Sequence, residues 1–311
     1  MISCTDFIAA YSELFSFVEE RHGRQEVSRL WLYLFRPTGG GIPLIDFIKR
    51  EGLRGCFSYW AGTLSEETAD FTMYLSEKRG YFRLVMHRCP SKGRLLTLGE
   101  TKGITPYRDY CLHCDSYRSA AEEAGLGYIY DFTDMDSASC SILIFDPKVF
   151  DGRIIVDPDT EVMERRASDN AYYHPDFHSS MNMGIQYLGE KYGTDEVRAY
   201  LLRYANNIYK NDINDIRRGG LAAIKGIVEE SYRKERASDA VSTELRNDAL
   251  RIFIDYCPAV RHLRSTGRSV SPWFRYTTET VLEELAGMAG YRFAAEAYDE
   301  ETGQAQYAIF A

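Results

Sequence analysis

The sequence predicts an α+β fold in tandem duplicate, each half a helical layer packed on a small antiparallel sheet. Three observations carry that reading. Two strand-like runs, "RLVMHRCP" and "RIFIDYCP", stop at the same dipeptide, Cys89-Pro90 and Cys257-Pro258. Three ungapped blocks recur in one order, at offsets of 170, 168 and 165 residues, and the offset changes only between blocks. Within each half the apolar period passes from 3.6 to 2, the change expected where helix gives way to strand.

The first block pairs "DFIAAYSELFSFVEERHGRQEV" from Asp6 with "DFHSSMNMGIQYLGEKYGTDEV" from Asp176. In the second copy Phe177, Met181, Ile185, Leu188 and Tyr192 form one apolar helical stripe, and Phe7, Tyr11, Phe15, Val18 and His22 repeat it. Gly23 and Gly193 read as stops, each followed by a second helix with acids in its first turn. A long third helix is expected from about Ile216 to Leu245. In "ALRIFIDY" Leu250, Ile252 and Ile254 alternate with Arg251, Phe253 and Asp255, the pattern of a half-buried strand. A helix entered at Thr277 or Thr278 and ended by Gly290 follows. Two strands around an acidic turn at Asp299 to Gly303 close the half. The halves are then residues 1–150 and 170–311, joined by a connector at 151–169 with a short strand at Arg153 to Val156. Two such units are expected to pack as a pseudo-dimer.

Composition narrows the function. A chain of 311 residues exceeds one typical compact domain, and 45% apolar residues with 23 Tyr and 16 Phe suffice for a core. No window is apolar enough for a membrane span. A net charge of -9 without a basic block argues against nucleic acid and anionic lipid as partners. The N-terminal stretch lacks a basic leader, and seven cysteines without regular spacing read as reduced thiols, so the cytoplasm is the expected location. A small molecule is the expected partner, and homo-oligomerisation is left open. The glycine-rich "TGGGIPL" from Thr38 lacks the Lys-Ser/Thr of a phosphate loop and reads as a turn.

The closing segment "YCLHCDSYRSAAEEAGLGYIYDFTDMDSASCSILIF", with its helix, glycine and Cys-bearing hairpin, resembles the 4-vinyl reductase type of ligand-binding domain. The element order, with Cys-Pro after the central strand, is similar to the L-2-amino-thiazoline-4-carboxylic acid hydrolase family. The resemblance covers both halves, but the second carries Ala305 opposite Cys140. It implies a small-molecule pocket between helices and sheet, and hydrolysis of a cyclic amidine or amide; a non-enzymatic sensor or carrier is the alternative.

Candidate residues follow from chemistry and spacing. Cys89 and Cys257 are candidate nucleophiles, Cys89 the better because His87, two residues back, shares its strand face and lowers a thiol pKa when protonated, whereas Asp255 opposes ionisation of Cys257. The alternative is a buried structural Cys with Pro ending the strand. Cys111 and Cys114 in "CLHCD" have zinc-ligand separation, and His87 is a candidate third ligand, with zinc the implied cofactor. His174, His178 and Asn182, spaced by four, would line one side of a helix: His178 and Asn182 for acid-base work, His174 for substrate binding or as a cap beside Pro175. Glu67 and Glu235 match across the repeat, as general base or metal ligand, or else as part of a solvated charged face with Arg233, Lys234 and Arg236. Arg251, matched with Arg83, would clamp a substrate carboxylate unless it points outward.

Overall fold

A computed structural model describes residues 2–35, 44–67, 69–134, 136–166, 172–246 and 248–311. The stretch read as a turn from Thr38 lies outside them. In chain order come α1 (Phe7–His22), α2 (Arg24–Leu34), α3 (Leu44–Glu51), α4 (Leu53–Glu66), β1 (Asp70–Ser76), β2 (Tyr81–Arg88) and α5 (Pro90–Lys102). A 3-10 helix (Tyr110–Ser116), α6 (Tyr117–Glu123), β3 (Gly127–Asp134), β4 (Ser139–Phe145) and β5 (Glu161–Arg165) follow. The rest is α7 (Phe177–Tyr192), α8 (Thr194–Tyr209), α9 (Ile213–Lys234), β6 (Val241–Leu245), β7 (Ala249–Ile254), α10 (Pro258–Ser265), α11 (Tyr276–Met288), β8 (Arg292–Tyr298) and β9 (Ala305–Phe310). The fold class is α+β, with two antiparallel sheets.

Two compact units divide the chain. Unit 1 holds residues 1–34, 99–107 and 175–311; unit 2 holds 35–98 and 108–174. These are not the sequence halves, because α1 and α2 pack with the second half. In unit 2 the strand order is β3-β4-β2-β1-β5, and in unit 1 it is β8-β9-β7-β6. The registers agree as well: Met86 faces Cys140, and Ile254, 168 positions on, faces Ala305.

Unit 2 buries one face of its sheet under α4. Phe71, Met73 and Leu75 of β1 and Phe82, Leu84 and Met86 of β2 meet Phe57, Trp60 and Leu64, and Trp60 stacks on Phe82 at 5.4 Å. Strand alternation and a helical stripe thus fill one core. In unit 1, α1, α2, α7 and α8 form a bundle whose contacts are reciprocal. Phe7 stacks on Phe177 at 4.7 Å and His22 on Tyr192 at 3.7 Å, each residue meeting the one 170 positions away. Glu196 binds Arg21 and His22, while Glu26, its counterpart, binds Lys191. Residues matched at the 170-residue offset thus make matched contacts.

Four expectations are corrected. The third helix of the second copy ends at Lys234, and residues 241–245, with Val and Thr at alternate positions, pair with β7 as β6. An equivalent strand, β1, was also unanticipated, so each sheet gains a strand. The connector's strand is β5 at 161–165, hydrogen-bonded to β1, and not 153–156. Helix α11 starts at Tyr276 after Arg275, two or three residues earlier than a cap at Thr277 or Thr278 implies. Finally, Gly220 kinks α9 at φ 54°, ψ -133°, and Gly52, between α3 and α4, has φ 62°, ψ -136°. That region is closed to residues with a Cβ, which explains a glycine at both positions.

Candidate functional site

Unit 1 contains a buried group of three chemically different donors. Cys4 lies in the turn before α1, His178 in the first turn of α7, and Glu235 directly after α9. The His178 ring nitrogen Nε2 is 3.0 Å from Glu235 Oε2, and the Cys4 backbone N–H donates to Glu235 Oε1 at 2.5 Å. One donor atom from each side chain lies within 4.8 Å of the other two. Relative exposures are 0%, 2% and 3%, so the group is shut off from solvent. Burial alone would raise the Glu235 pKa, but the His178 and Cys4 hydrogen bonds favour the carboxylate and hold it below the ordinary value.

The solvated-face reading of Glu235 is therefore overturned. Its neighbours Arg233 and Lys234 do face outward, to Glu230 and Asp6, while Glu235 turns inward. His262 comes next: its ring centroid is 6.4 Å from that of His178, and its Nε2 is 3.2 Å from Asp176 Oδ1, which also binds the buried Arg268. Asn182 is buried on α7, but both ends of its amide are engaged. Its Nδ2 donates to the Ser269 carbonyl at 3.0 Å, and its Oδ1 accepts from the Ser271 N–H at 2.8 Å. It positions the segment that follows Arg268.

His174 is separated from His178 and Asn182 because α7 begins at Phe177, after a turn through Pro175 and Asp176. It belongs to unit 2, where Nδ1 meets Glu66 at 2.6 Å and Nε2 is 4.0 Å from Glu67. Glu67 is buried too, and burial raises its pKa to about 7 against the attraction of His174. Arg251 is exposed, opposite the face of Leu250, Ile252 and Ile254. Cys257 is buried; desolvation raises its thiol, and the carboxylate that adds to the rise is Glu235, Asp255 being exposed.

Unit 2 gathers four thiols. Cys111 and Cys114 lie three apart in a 3-10 helix, whose three-residue turn puts them on one side. Tyr130 and Tyr128 of β3 donate to the carbonyls of Cys111 (3.4 Å) and Cys114 (3.1 Å), tying that turn to the sheet. Cys140 sits on β4 opposite Met86, and the Cys89 N–H donates to the Ala138 carbonyl at 2.7 Å, which brings both beside the same strands. Burial raises all four thiols, and neighbouring thiols add to the rise at Cys89, Cys114 and Cys140, while the Lys92 ammonium opposes it at Cys111; Cys140 reaches about 11, with Tyr130 opposing the rise by hydrogen bonding. Desolvation also lowers His113, edge-on to Tyr110 at 4.8 Å between ring centroids, to about 4.

The expected activation of Cys89 by His87 is not found. His87 is exposed at the end of β2, where its Nε2 is 2.8 Å from Thr72 Oγ1, and the Cys89 thiol is raised rather than lowered. His87 thus does not join Cys111 and Cys114, whereas Cys89 and Cys140 do. Residues that pattern reasoning missed include Cys4, His262, Asp176 and Arg268. A signal existed for Cys4, since it aligns with His174 across the repeat, so one position carries a metal-capable side chain in both copies.

Compared with protein-family models, curated proteins and solved structures, the chain matches none.

Proposed function

We propose that the chain binds a small ligand without transforming it, as a sensor or carrier of the 4-vinyl reductase type, with the thiol and tyrosine cluster of unit 2 as its site and zinc as the group the thiols hold. The observation that carries this reading is the convergence of Cys89, Cys111, Cys114 and Cys140 from three separate segments onto one side of the sheet. Tyr130 hydrogen-bonds with the thiols of both Cys114 and Cys140, and thiolate is a preferred zinc ligand; the sulfurs do not lie within 4.8 Å of one another as the Cys4, His178 and Glu235 donors do, so closing round an ion asks for side-chain movement. Tyr59, Tyr117 and Tyr130 add apolar surface with polar tips, the usual lining of a small-molecule site.

Hydrolysis of a cyclic amidine or amide, the activity implied by the resemblance to the L-2-amino-thiazoline-4-carboxylic acid hydrolase family, has less behind it. Cys89 and Cys257 favour the protonated thiol, Asn182 is engaged by backbone, and Arg251 points to solvent. An origin by internal duplication belongs to the same proposal, supported by the shared strand order, the matching kinks at Gly52 and Gly220, and the self-paired stacks. A cytoplasmic location fits seven free thiols.

Metal analysis tests the site. The purified protein should retain zinc that is lost in Cys114→Ser and kept in His87→Ala, with affinity rising with pH because binding expels thiol protons. Metal-free protein whose thiols react with an alkylating reagent at the same rates with and without added zinc would refute it.

A further inference from the structure

We infer that Cys4, His178 and Glu235 form a second, separate cation site of the zinc class in unit 1, one that ties the N-terminal segment to α7 and α9. Thiolate sulfur, imidazole nitrogen and carboxylate oxygen are zinc's three protein ligand types. With metal bonds of about 2.0–2.3 Å, neighbouring donors of a tetrahedral site lie roughly 3.3–3.8 Å apart. The His178 and Glu235 donor atoms are already 3.0 Å apart, and the whole set lies within 4.8 Å, so closing round an ion asks for side-chain movement on the order of 1 Å.

Charge supports the same assignment. A divalent cation with one thiolate and one carboxylate is neutral, the state a site this deeply buried favours. Glu235 can bind through Oε2 while Oε1 keeps the Cys4 N–H, so the second carboxylate oxygen is not orphaned. The rival account is a metal-free ion pair of His178 with Glu235 beside a neutral thiol.

Comparison within the chain sharpens the case. The counterparts of Cys4, Glu235 and Cys257 are His174, Glu67 and Cys89, a second set of metal-capable groups. In unit 2 His174 stands 4.0 Å from Glu67, as the Cys4 segment stands against Glu235 in unit 1. What distinguishes the second sequence copy is His178, where the matched position of the first carries Ile8. That one exchange supplies the third donor.

The test starts from the full chain carrying Cys111→Ser and Cys114→Ser, so that metal in unit 2 is not counted. Titration with cobalt(II) chloride should fill one equivalent with a thiolate-to-cobalt charge-transfer band and tetrahedral ligand-field absorption. Cys4→Ser should abolish the charge-transfer band, and His178→Gln should weaken binding by at least tenfold. Zinc chloride should raise the melting temperature of the parent but of neither variant. Because a variant at a buried site can fail to fold, crystals of the unmodified chain grown with zinc chloride provide a reading that needs none. An anomalous difference peak at the zinc edge between Cys4 Sγ, His178 Nε2 and Glu235 Oε2 is expected. No peak there, or cobalt absorption unchanged by Cys4→Ser, overturns the site, and either result leaves the thiol cluster of unit 2 to be judged on its own.

Discussion

Glu67 and Glu235 occupy matched positions and are both buried, yet removing the charge should act in opposite directions. Burial raises Glu67 to about 7, and His174 at 4.0 Å only partly offsets that. Folding therefore takes up a proton between the unfolded carboxylate's pKa, about 4.3, and about 7. Stability is fully present below that window and declines as pH rises through it. A displacement of roughly 2.5 pKa units at about 1.4 kcal/mol each makes the cost about 3 kcal/mol above neutrality. Glu67→Gln removes it, so the variant should gain up to about 3 kcal/mol near pH 8 and almost nothing near pH 4. Glu235 is lowered by His178 and the Cys4 N–H, so its contribution is present above the ordinary carboxylate range and is lost as pH falls. Glu235→Gln should cost about 2 kcal/mol near pH 8, the worth of hydrogen bonds to a charged group, and less in acid. Urea unfolding of the metal-free protein, followed by circular dichroism at the two pH values, reads both. Equal shifts of one sign for the two variants, or a loss of stability in Glu67→Gln near pH 8, would falsify the assignment of opposite environments.

Other outcomes follow from single contacts. His178→Ala strands a buried carboxylate and should cost about 3–5 kcal/mol near neutral pH; a cost below 1 kcal/mol on the same urea assay would mean that Glu235 reaches water. Gly220→Ala and Gly52→Ala each force a Cβ into a closed backbone region and should cost about 1–3 kcal/mol by thermal unfolding, whereas Gly226→Ala, in the ordinary helical part of α9, should be neutral or stabilising. Tyr200 donates from a buried hydroxyl to the Ala10 carbonyl at 2.8 Å, so Tyr200→Phe should lose about 1 kcal/mol, and no change would show that the bond is replaced.

Much of the architecture was legible. The stripe from Phe177 to Tyr192 specified α7 within a residue, and the alternation of Leu250, Ile252 and Ile254 specified a strand with Arg251 outward, because one-sided burial imposes those periods. The strand "VSTEL" was absorbed into a helix because it follows a strong helical run with no proline or glycine between them, so only a shift in β-branching marked the change. Glu235 looked solvated for a related reason. Flanking Arg233, Lys234 and Arg236 gave it a charged context, and the end of a helix turns successive side chains in different directions.

Spacing along the chain determined the class of fold, the paired Cys-Pro marks, and the pairing of Cys111 with Cys114, since each depends on neighbours within a turn or a strand. Tertiary structure alone decided that Cys4 meets Glu235, that Cys89 and Cys140 join the Cys111–Cys114 turn while His87 does not, and that Asn182 serves a loop. Those contacts join residues 49 to 231 positions apart in the chain, from the Cys89 N–H on the Ala138 carbonyl to the Cys4 N–H on Glu235. No local period specifies such distances, because they are set by how helices and sheets stack once their apolar faces are buried.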